Sequence, residues 1–188
     1  DIDVFDIELA VTDSDEFVDT VARLEPTFGG INLEDIKSPE CFEIEEKLKA
    51  RLKIPIMHDD QHGTAIVVLA ALKGAVKVQS RDITTLKVVI SGAGAAGVAC
   101  ANILLAAGIS DVIVLDSKGI ISGERSDLND VKAELAARTN PRDLHGGAIE
   151  ALEGADVFLG VSAGKIPEEL IASMAPESIV FALSNPDP

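Results

Sequence analysis

Two pairs of adjacent acidic residues stand where apolar segments end. Glu34 and Asp35 close the segment GGINLEDI, and Asp59 and Asp60 follow IPIM in PIMHDDQHGTA. Both pairs are expected at the carboxyl ends of strands, where open α/β sheets gather their ligands. Carboxylates gathered at one edge repel one another unless a cation neutralises them, and oxygen ligands suit a hard ion such as Mg²⁺ or Mn²⁺. The spacing therefore predicts a divalent-metal site, and the alternative for each single acid is a helix cap or a solvated surface charge.

The geometry of this site depends on how the chain turns. Neighbouring residues on an extended strand point to opposite faces, so Glu34 and Asp35 can share one ion only if the chain turns there. His58 and His62 flank the second acidic pair, but their spacing across a strand-to-helix turn does not match a zinc site. We expect the two histidines to pack or to support the acids. Asp60 has a simpler alternative, which is to cap the following helix.

A glycine-rich loop follows the β-branched segment LKVVIS. Gly92, Gly94 and Gly97 form G-x-G-x-x-G before a long apolar helix, and Asp116 ends the next strand 19 residues after Gly97. In a dinucleotide site the first glycine allows a tight turn, the second lets the pyrophosphate approach the backbone, and the third allows close packing of the helix. The free N–H groups of the helix then face the phosphates. The pattern predicts dinucleotide binding, and the alternative is a glycine turn in an α/β domain without a nucleotide.

The choice between NAD and NADP rests on two residues. Asp116 can accept from a ribose hydroxyl and would repel a 2′-phosphate, which favours NAD. Lys118 lies two residues further on and could neutralise that phosphate. The sequence therefore leans only slightly towards NAD.

Strand and helix patterns alternate along the whole chain. Strands are predicted at 5–11, 29–33, 54–57, 86–91, 111–116, 156–163 and 178–184, and helices at 13–24, 39–52, 64–78, 95–108, 127–138 and 167–175. The helix at 64–78 is apolar nearly all round and is expected to be deeply packed. The order predicts an α/β fold, a doubly wound, mostly parallel Rossmann-like sheet in residues 61–188, preceded in residues 1–60 by part of a smaller α/β domain.

Composition excludes several classes of protein. The formal net charge of −16 leaves no basic face for nucleic acid or an anionic membrane surface, and 188 residues with 47% hydrophobic content can bury a core. Trp and Tyr are absent, so that core must be mainly aliphatic. Cys41 and Cys100 lie on apolar helix faces and are expected to be buried, reduced thiols. With no signal peptide and no apolar run of membrane length, we expect a cytoplasmic protein, and both ends look cut from a longer chain.

Six segments, in this order, resemble malic enzymes, and most of all their shorter bacterial form: GGINLEDI, SPECFEIEEKL, IPIMHDDQHGTA, ISGAGAAG, VLDSKG and VFALSNPDP. The resemblance covers essentially the whole chain. It implies oxidative decarboxylation of L-malate to pyruvate and CO₂ with NAD⁺ or NADP⁺ and with Mg²⁺ or Mn²⁺. It also implies that residues 1–60 belong to a malate- and metal-binding domain, that residues 61–188 bind NAD(P), and that the protein is a homo-oligomer, expected to be a dimer.

The resemblance also assigns roles to individual residues. Glu34, Asp35 and Asp60 would ligate the metal, and Asp59 would be the acidic neighbour that supports catalysis at that site. Asn185 would lie near the nicotinamide and the substrate. The residues expected to hold the dinucleotide are Gly92, Ala93, Gly94, Ala95, Ala96, Gly97, Asp116, Ser117, Lys118 and Asn185.

One departure from the family limits what this chain can do. The family has a lysine base, a tyrosine acid and a malate-binding arginine upstream of the first acidic pair, whereas here the first lysine is Lys37, tyrosine is absent, and Arg23 matches no motif. General acid–base groups are each worth about 10²–10⁴ in rate, so the chain alone is expected to be nearly inactive. Three alternatives stay open: a malolactic enzyme of the same family, a non-catalytic NAD-binding regulatory module, and another two-domain dehydrogenase that uses a lysine and no metal.

Overall fold

A computed structural model describes residues 2–162 and 166–184 of the chain. It divides into two compact units, Asp1–Asp59 and Asp60–Pro188. The sequence predicts a division into residues 1–60 and 61–188, and this division and the functional names of its two parts stay predictions. No helix in the described ranges is both long and apolar enough to cross a bilayer.

The first unit contains two helices and two short strands. Its elements are α1 (Ser14–Ala22), β1 (Ile31–Leu33), α2 (Glu40–Arg51) and β2 (Ile56–His58). Asp13 caps α1, because its side chain accepts from the backbone N–H of Glu16 at 2.9 Å. The strands pair in parallel, and an aliphatic core lies among these elements, formed by Val18, Val21, Leu33, Ile44, Leu48, Leu52 and Ile56.

The strand predicted at 5–11 is wrong, because residues 2–12 have no regular secondary structure. The alternation of apolar residues is present, but a strand is held by ladder hydrogen bonds to a neighbour. Among the described residues none supplies that ladder, so Ile2 and Val4 are 88% and 79% exposed. Within residues 2–12, Leu9 packs against the core of this unit, and the Phe5 ring lies 6.1 Å from that of Phe28.

The second unit is built on a five-stranded sheet. Its strands are β3 (Lys87–Ser91), β4 (Asp111–Asp116), β5 (Gly119–Ile120), β6 (Val157–Gly160) and β7 (Ile179–Ala182), in the spatial order β5-β4-β3-β6-β7. The pairs β4–β3, β3–β6 and β6–β7 are parallel, and β5 alone is antiparallel. This confirms the α/β prediction of a mostly parallel sheet.

Helices flank the sheet and close its core. They are α3 (Asp59–Gln79), α4 (Ala95–Ala106), α5 (Asp130–Ala136), α6 (Ala148–Leu152) and α7 (Glu168–Ala172), with a 3₁₀ turn at Ile83–Thr85. Val88, Val89 and Ile90 of β3 are fully buried, as expected for the centre of a covered parallel sheet. Cys41 and Cys100 are buried free thiols, as predicted, and burial raises their pKa to about 11 and about 12.

Two expectations about α3 were wrong. The helix begins at Asp59 rather than near Thr64, because acidic residues are favourable in the first turn of a helix. Its packing is also one-sided. Ala65, Val68, Leu72 and Val76 are buried at helical spacing, while Ile66 and Val67 are 54% and 59% exposed.

Smaller elements account for the other differences. The short strand β5 and helix α6 were not predicted, since two and five residues carry too little periodicity. The helix predicted at 127–138 spans only Asp130–Ala136. It begins there because Asn129 caps it by accepting from the N–H of Lys132 at 3.0 Å.

Candidate active site

The glycine-rich loop joins β3 to α4 and depends on two glycines. Gly92 has φ +126°, which side chains rarely adopt, and a Cβ there would lie 2.9 Å from the Cβ of Ser162. A Cβ on Gly97 would lie only 1.8 Å from the carbonyl oxygen of Gly92. The first turn of α4 therefore sits directly against the loop, which is the close approach expected from the sequence.

Gly94 has a different environment. Within residues 2–162 and 166–184, no atom beyond those of its chain neighbours lies within 4 Å of a Cβ built on Gly94. Gly94 stands immediately before the first residue of α4 as its N-cap. The first N–H groups of a helix have no partner within that helix, so this end of α4 offers donors beside open space. A phosphate group fits such a cradle in size, charge and donor direction. The residues present therefore fit a dinucleotide.

The position of the loop in the sheet supports the same use. From β3 the chain crosses through α4 to β4 on one side, whereas β6 and β7 lie on the other side of β3. The order of strands thus reverses between β3 and β6, and ligands of open α/β sheets bind at the carboxyl ends on either side of such a reversal. Strand β3 ends at Ser91 and is followed by Gly92, and β6 ends at Gly160 and is followed by Val161 and Ser162.

Asp116 ends β4 at the same edge of the sheet but is held by cations. Its Oδ1 accepts from Arg125 Nη1 at 2.8 Å and from the backbone N–H of Lys118 at 2.9 Å. Its Oδ2 accepts from Arg125 Nη2 at 3.1 Å and from Lys132 Nζ at 2.7 Å. The side chain is only 7% exposed. Both carboxylate oxygens are therefore fully engaged within the protein.

This ion network extends to a second acid. Arg125 also donates to both oxygens of Asp127, at 3.0 and 2.9 Å, and Lys118 Nζ lies 2.7 Å from Asp127 Oδ2. Burial opposes ionisation of Asp116, but hydrogen bonds from Arg125 and Lys132 outweigh it and lower its pKa to about 2. Hydrogen bonds from Arg125 and Lys118 likewise lower the pKa of Asp127. Three cations and two carboxylates leave the network with a net positive charge.

Arg125 and Lys132 were not identified in the sequence. They follow Asp116 by nine and sixteen residues, and no motif or period connects them to it. Lys118 was identified, but its ammonium group is bonded to Asp127 rather than standing free. The sequence feature that could have pointed to these contacts is the presence of Lys118, Arg125 and Lys132 soon after Asp116, in a chain with twice as many acidic as basic residues.

The first acidic pair is positioned by β1. The chain turns into the left-handed region at Asp35, with φ +54°, immediately after Glu34. This is the turn that the sequence argument required before both carboxylates could serve one ion. The amide Nδ2 of Asn32 donates to Glu34 Oε2 at 2.8 Å, since residues two apart on a strand share a face.

The second acidic pair forms the first turn of α3. Strand β2 runs parallel to β1 and ends at His58, which pairs with Leu33 in the ladder, so the acids that follow each strand start from the same edge. Glu34 and Asp35 therefore follow β1, and Asp59 and Asp60 follow β2. Carboxylate oxygens are the donors that a hard divalent ion prefers.

The remaining predicted residues have varied positions. His58 is fully buried in β2 and His62 is half-buried in α3. Ser117 and Lys118 form the turn between β4 and β5. Asn185, expected near the nicotinamide, lies outside the described residues.

A mostly parallel sheet with a reversal of strand order and a glycine loop at that point defines a Rossmann-like, dinucleotide-binding class of domain. Sequence comparison narrows the class. Residues 61–188 match the family described as malic enzyme, NAD binding domain, and residues 7–49 match malic enzyme, N-terminal domain. The chain belongs to the malic enzyme family.

Individual relatives agree with this assignment. The chain is 49% identical to a bifunctional malic/malolactic enzyme of Bacillus subtilis over its whole length, covering 46% of that protein. It is 48% identical to an NADP-dependent malic enzyme of Escherichia coli, covering 25%. The crystal structure of an NAD-dependent malic enzyme from Thermotoga maritima superposes with a TM-score of 0.96 at 44% identity, over all of this chain and 50% of that one. The chain thus spans half or less of these relatives.

Proposed function

We propose that this chain supplies the metal ligands and the dinucleotide site of a malic enzyme, which oxidatively decarboxylates L-malate to pyruvate and CO₂ while reducing NAD⁺ or NADP⁺. Membership of the family gives the class of reaction. The observation in this chain that carries the proposal is the glycine loop at the reversal of strand order, with open space above Gly94 beside the N-terminus of α4. A nicotinamide dinucleotide bound there would supply the hydride acceptor.

The carboxylates have a defined part in this proposal. Glu34, Asp35 and Asp60 would hold Mg²⁺ or Mn²⁺, and Asp59, next to Asp60 in the first turn of α3, would add negative charge beside the site. A divalent ion in that place would supply Lewis-acid polarisation of a substrate oxygen. Asn32 keeps one oxygen of Glu34 occupied, which leaves the other oxygen available to an ion.

The choice of dinucleotide follows from the network around Asp116. A bare carboxylate would repel a 2′-phosphate, but Arg125, Lys132 and Lys118 give this network a net positive charge. We propose that the chain tolerates NADP as well as NAD, which replaces the slight preference for NAD drawn from the sequence. Relatives of both kinds, NAD-dependent and NADP-dependent, are consistent with this.

A steady-state assay tests the reaction. The purified chain is incubated with L-malate, Mn²⁺ and either NAD⁺ or NADP⁺, and nucleotide reduction is followed beside pyruvate formation. The same assay is run on a version extended at its N-terminus by a relative's lysine- and tyrosine-bearing segment. We expect turnover only in the extended version, since the chain contains no tyrosine and no lysine before Lys37. Easily measured turnover by the 188 residues alone would contradict the expected need for those groups.

A second candidate, malolactic activity, is favoured by the bifunctional malic/malolactic relative at 49% identity. Product analysis separates the two reactions, because malic activity releases reduced dinucleotide with pyruvate whereas malolactic activity yields lactate. A regulatory NAD-binding module is the third possibility, and it predicts dinucleotide binding that does not respond to Mn²⁺ or malate. A cytoplasmic location and a homodimer also stay predictions.

A further inference from the structure

Ser184 lies beside the glycine loop although neither its type nor its spacing suggested a role. The residue follows β7, and its hydroxyl donates to the carbonyl oxygen of Ser162 at 2.7 Å. Ser162 follows β6, so this bond joins the segments that leave two neighbouring parallel strands. The backbone N–H of Leu183 also donates to the carbonyl of Gly160 at 2.9 Å, which continues the ladder to the residue before Ser184.

The segment that Ser184 holds forms one wall of the loop. Val161 donates its N–H to the carbonyl of Ser91 at 3.0 Å. A Cβ on Gly92 would meet both the Cβ and the backbone nitrogen of Ser162, at 2.9 and 3.1 Å, and a Cβ on Gly97 would lie 3.5 Å from a methyl group of Val161. Residues 161–162 therefore contact the glycine loop so closely that any displacement of one is passed to the other.

We propose that Ser184 is a positioning residue for the dinucleotide. Its hydroxyl fixes residues 161–162 against the glycine loop, and the loop in turn presents the N-terminus of α4 to the phosphates. The inference rests on the proposed dinucleotide site and adds to it a residue that would not itself touch the phosphates. Because Ser184 acts on the shared wall and not on the ribose, its effect is the same for NAD and NADP.

A matched control exists in the same domain. Ser173, which ends α7, donates its hydroxyl to the carbonyl of Leu170, also at 2.7 Å. It precedes β7, whereas Ser184 follows that strand, so the two bonds lie at opposite ends of β7. Ser173→Ala and Ser184→Ala each remove one hydroxyl-to-carbonyl bond of equal length, and only the second touches the wall of the site.

The experiment is a fluorescence titration of the chain with NADH and with NADPH, beside urea unfolding of each variant. The chain has no Trp or Tyr, so its own emission does not overlap the signal of the dinucleotide. Loss of one neutral hydrogen bond corresponds to about a threefold to tenfold change in an equilibrium constant. We expect Ser184→Ala to raise the Kd for both dinucleotides by that factor and Ser184→Thr to restore binding. Ser173→Ala, which removes a more exposed bond, should leave the Kd unchanged.

Each other result overturns part of the argument. Equal Kd values for Ser184→Ala and the unmodified chain would remove the positioning role while leaving the dinucleotide site in place. A Ser184→Thr variant as weak as Ser184→Ala would show that the hydroxyl is not the active feature. If the unmodified chain bound neither NADH nor NADPH, the proposed dinucleotide site itself would be wrong, and the role of Ser184 with it.

Discussion

Replacing Gly94 by alanine separates dinucleotide binding from folding. Gly94 has φ −88° and ψ −162°, an extended conformation that alanine adopts without strain. In the part of the chain that the structure describes, no atom outside the adjacent residues lies within 4 Å of the added Cβ. Because alanine is a poorer N-cap than glycine, the substitution should lower the free energy of unfolding by at most about 1 kcal/mol.

Binding should respond very differently. The added methyl group occupies the space into which a pyrophosphate would approach the backbone of the loop. Forcing a methyl group into a packed contact costs about 1–3 kcal/mol. We therefore expect the Kd for NADH to rise about fivefold to a hundredfold. The assay is the NADH fluorescence titration, with urea unfolding followed by circular dichroism on the same preparations.

Gly74→Ala is the control for this prediction. Gly74 lies within α3, and among the described residues outside its own turn of the helix no atom lies within 4 Å of a Cβ there. Alanine in a helix interior is favoured over glycine by about 1 kcal/mol, so this variant should gain stability and bind NADH normally. Unchanged NADH affinity in Gly94→Ala would refute the placement of the phosphates over Gly94. A large loss of stability in that variant would refute the claim that the space there is open.

Three further predictions concern packing, charge and metal. Gly97→Ala should lower the free energy of unfolding by about 1–3 kcal/mol in urea, because its Cβ would overlap the carbonyl of Gly92, and a stability equal to that of the original chain would contradict the loop geometry. Asp116 has a folded pKa of about 2 against an ordinary 3.8, so it contributes about 2 kcal/mol to the free energy of unfolding above pH 4, and this contribution is lost as the pH falls towards 2. Arg125→Gln should reduce that acid-dependent loss of stability in unfolding curves measured between pH 5 and pH 2. Asp60→Asn should raise the Kd for Mn²⁺, measured by electron paramagnetic resonance, about tenfold or more, whereas the same charge change at exposed Asp143 should not.

Much of the second unit could be predicted because its signals are local. Strands β3 and β4 are β-branched runs bounded by turn residues, and α4 is a continuous apolar helix between a glycine loop and Gly108. Glycine is required at Gly92 and Gly97 by close contacts within and beside the loop, so the spacing of the glycines predicts the conformation of the loop. From the sequence, Glu34 and Asp35 could share one ion only if the chain turned there, but the sequence did not show whether the chain turns at Asp35.

The errors arose where a partner or a neighbouring charge decides the outcome. Apolar and polar residues alternate in the segment at 5–11 as they do in a strand. This alternation indicates which face of a strand would be buried, but a strand also needs a neighbouring strand that provides ladder hydrogen bonds. For α3, the apolar run TAIVVLAAL predicts burial on all sides, whereas the number of packed faces is set by how many elements surround the helix. Asp59 and Asp60 do follow β2, as expected, but they also form the first turn of α3. The sequence did not show this helix start, because acids at a helix start and acids at a metal site produce the same pattern.

Asp116 has contacts that the sequence did not predict. Its position at the end of β4 followed from the sequence, and a carboxylate there is expected to accept from a ribose. Both of its oxygens already accept from Arg125, with Lys118 and Lys132 completing the set, so a carboxylate with about four acceptor sites has none left over. A ribose hydroxyl could reach Asp116 only by replacing one of these donors, and Lys132 is the donor most easily replaced because it makes a single bond where Arg125 makes two. If the ribose hydroxyl of NAD replaced Lys132, the ammonium group of Lys132 would be left beside the ribose. An ammonium group in that place would also favour the 2′-phosphate of NADP.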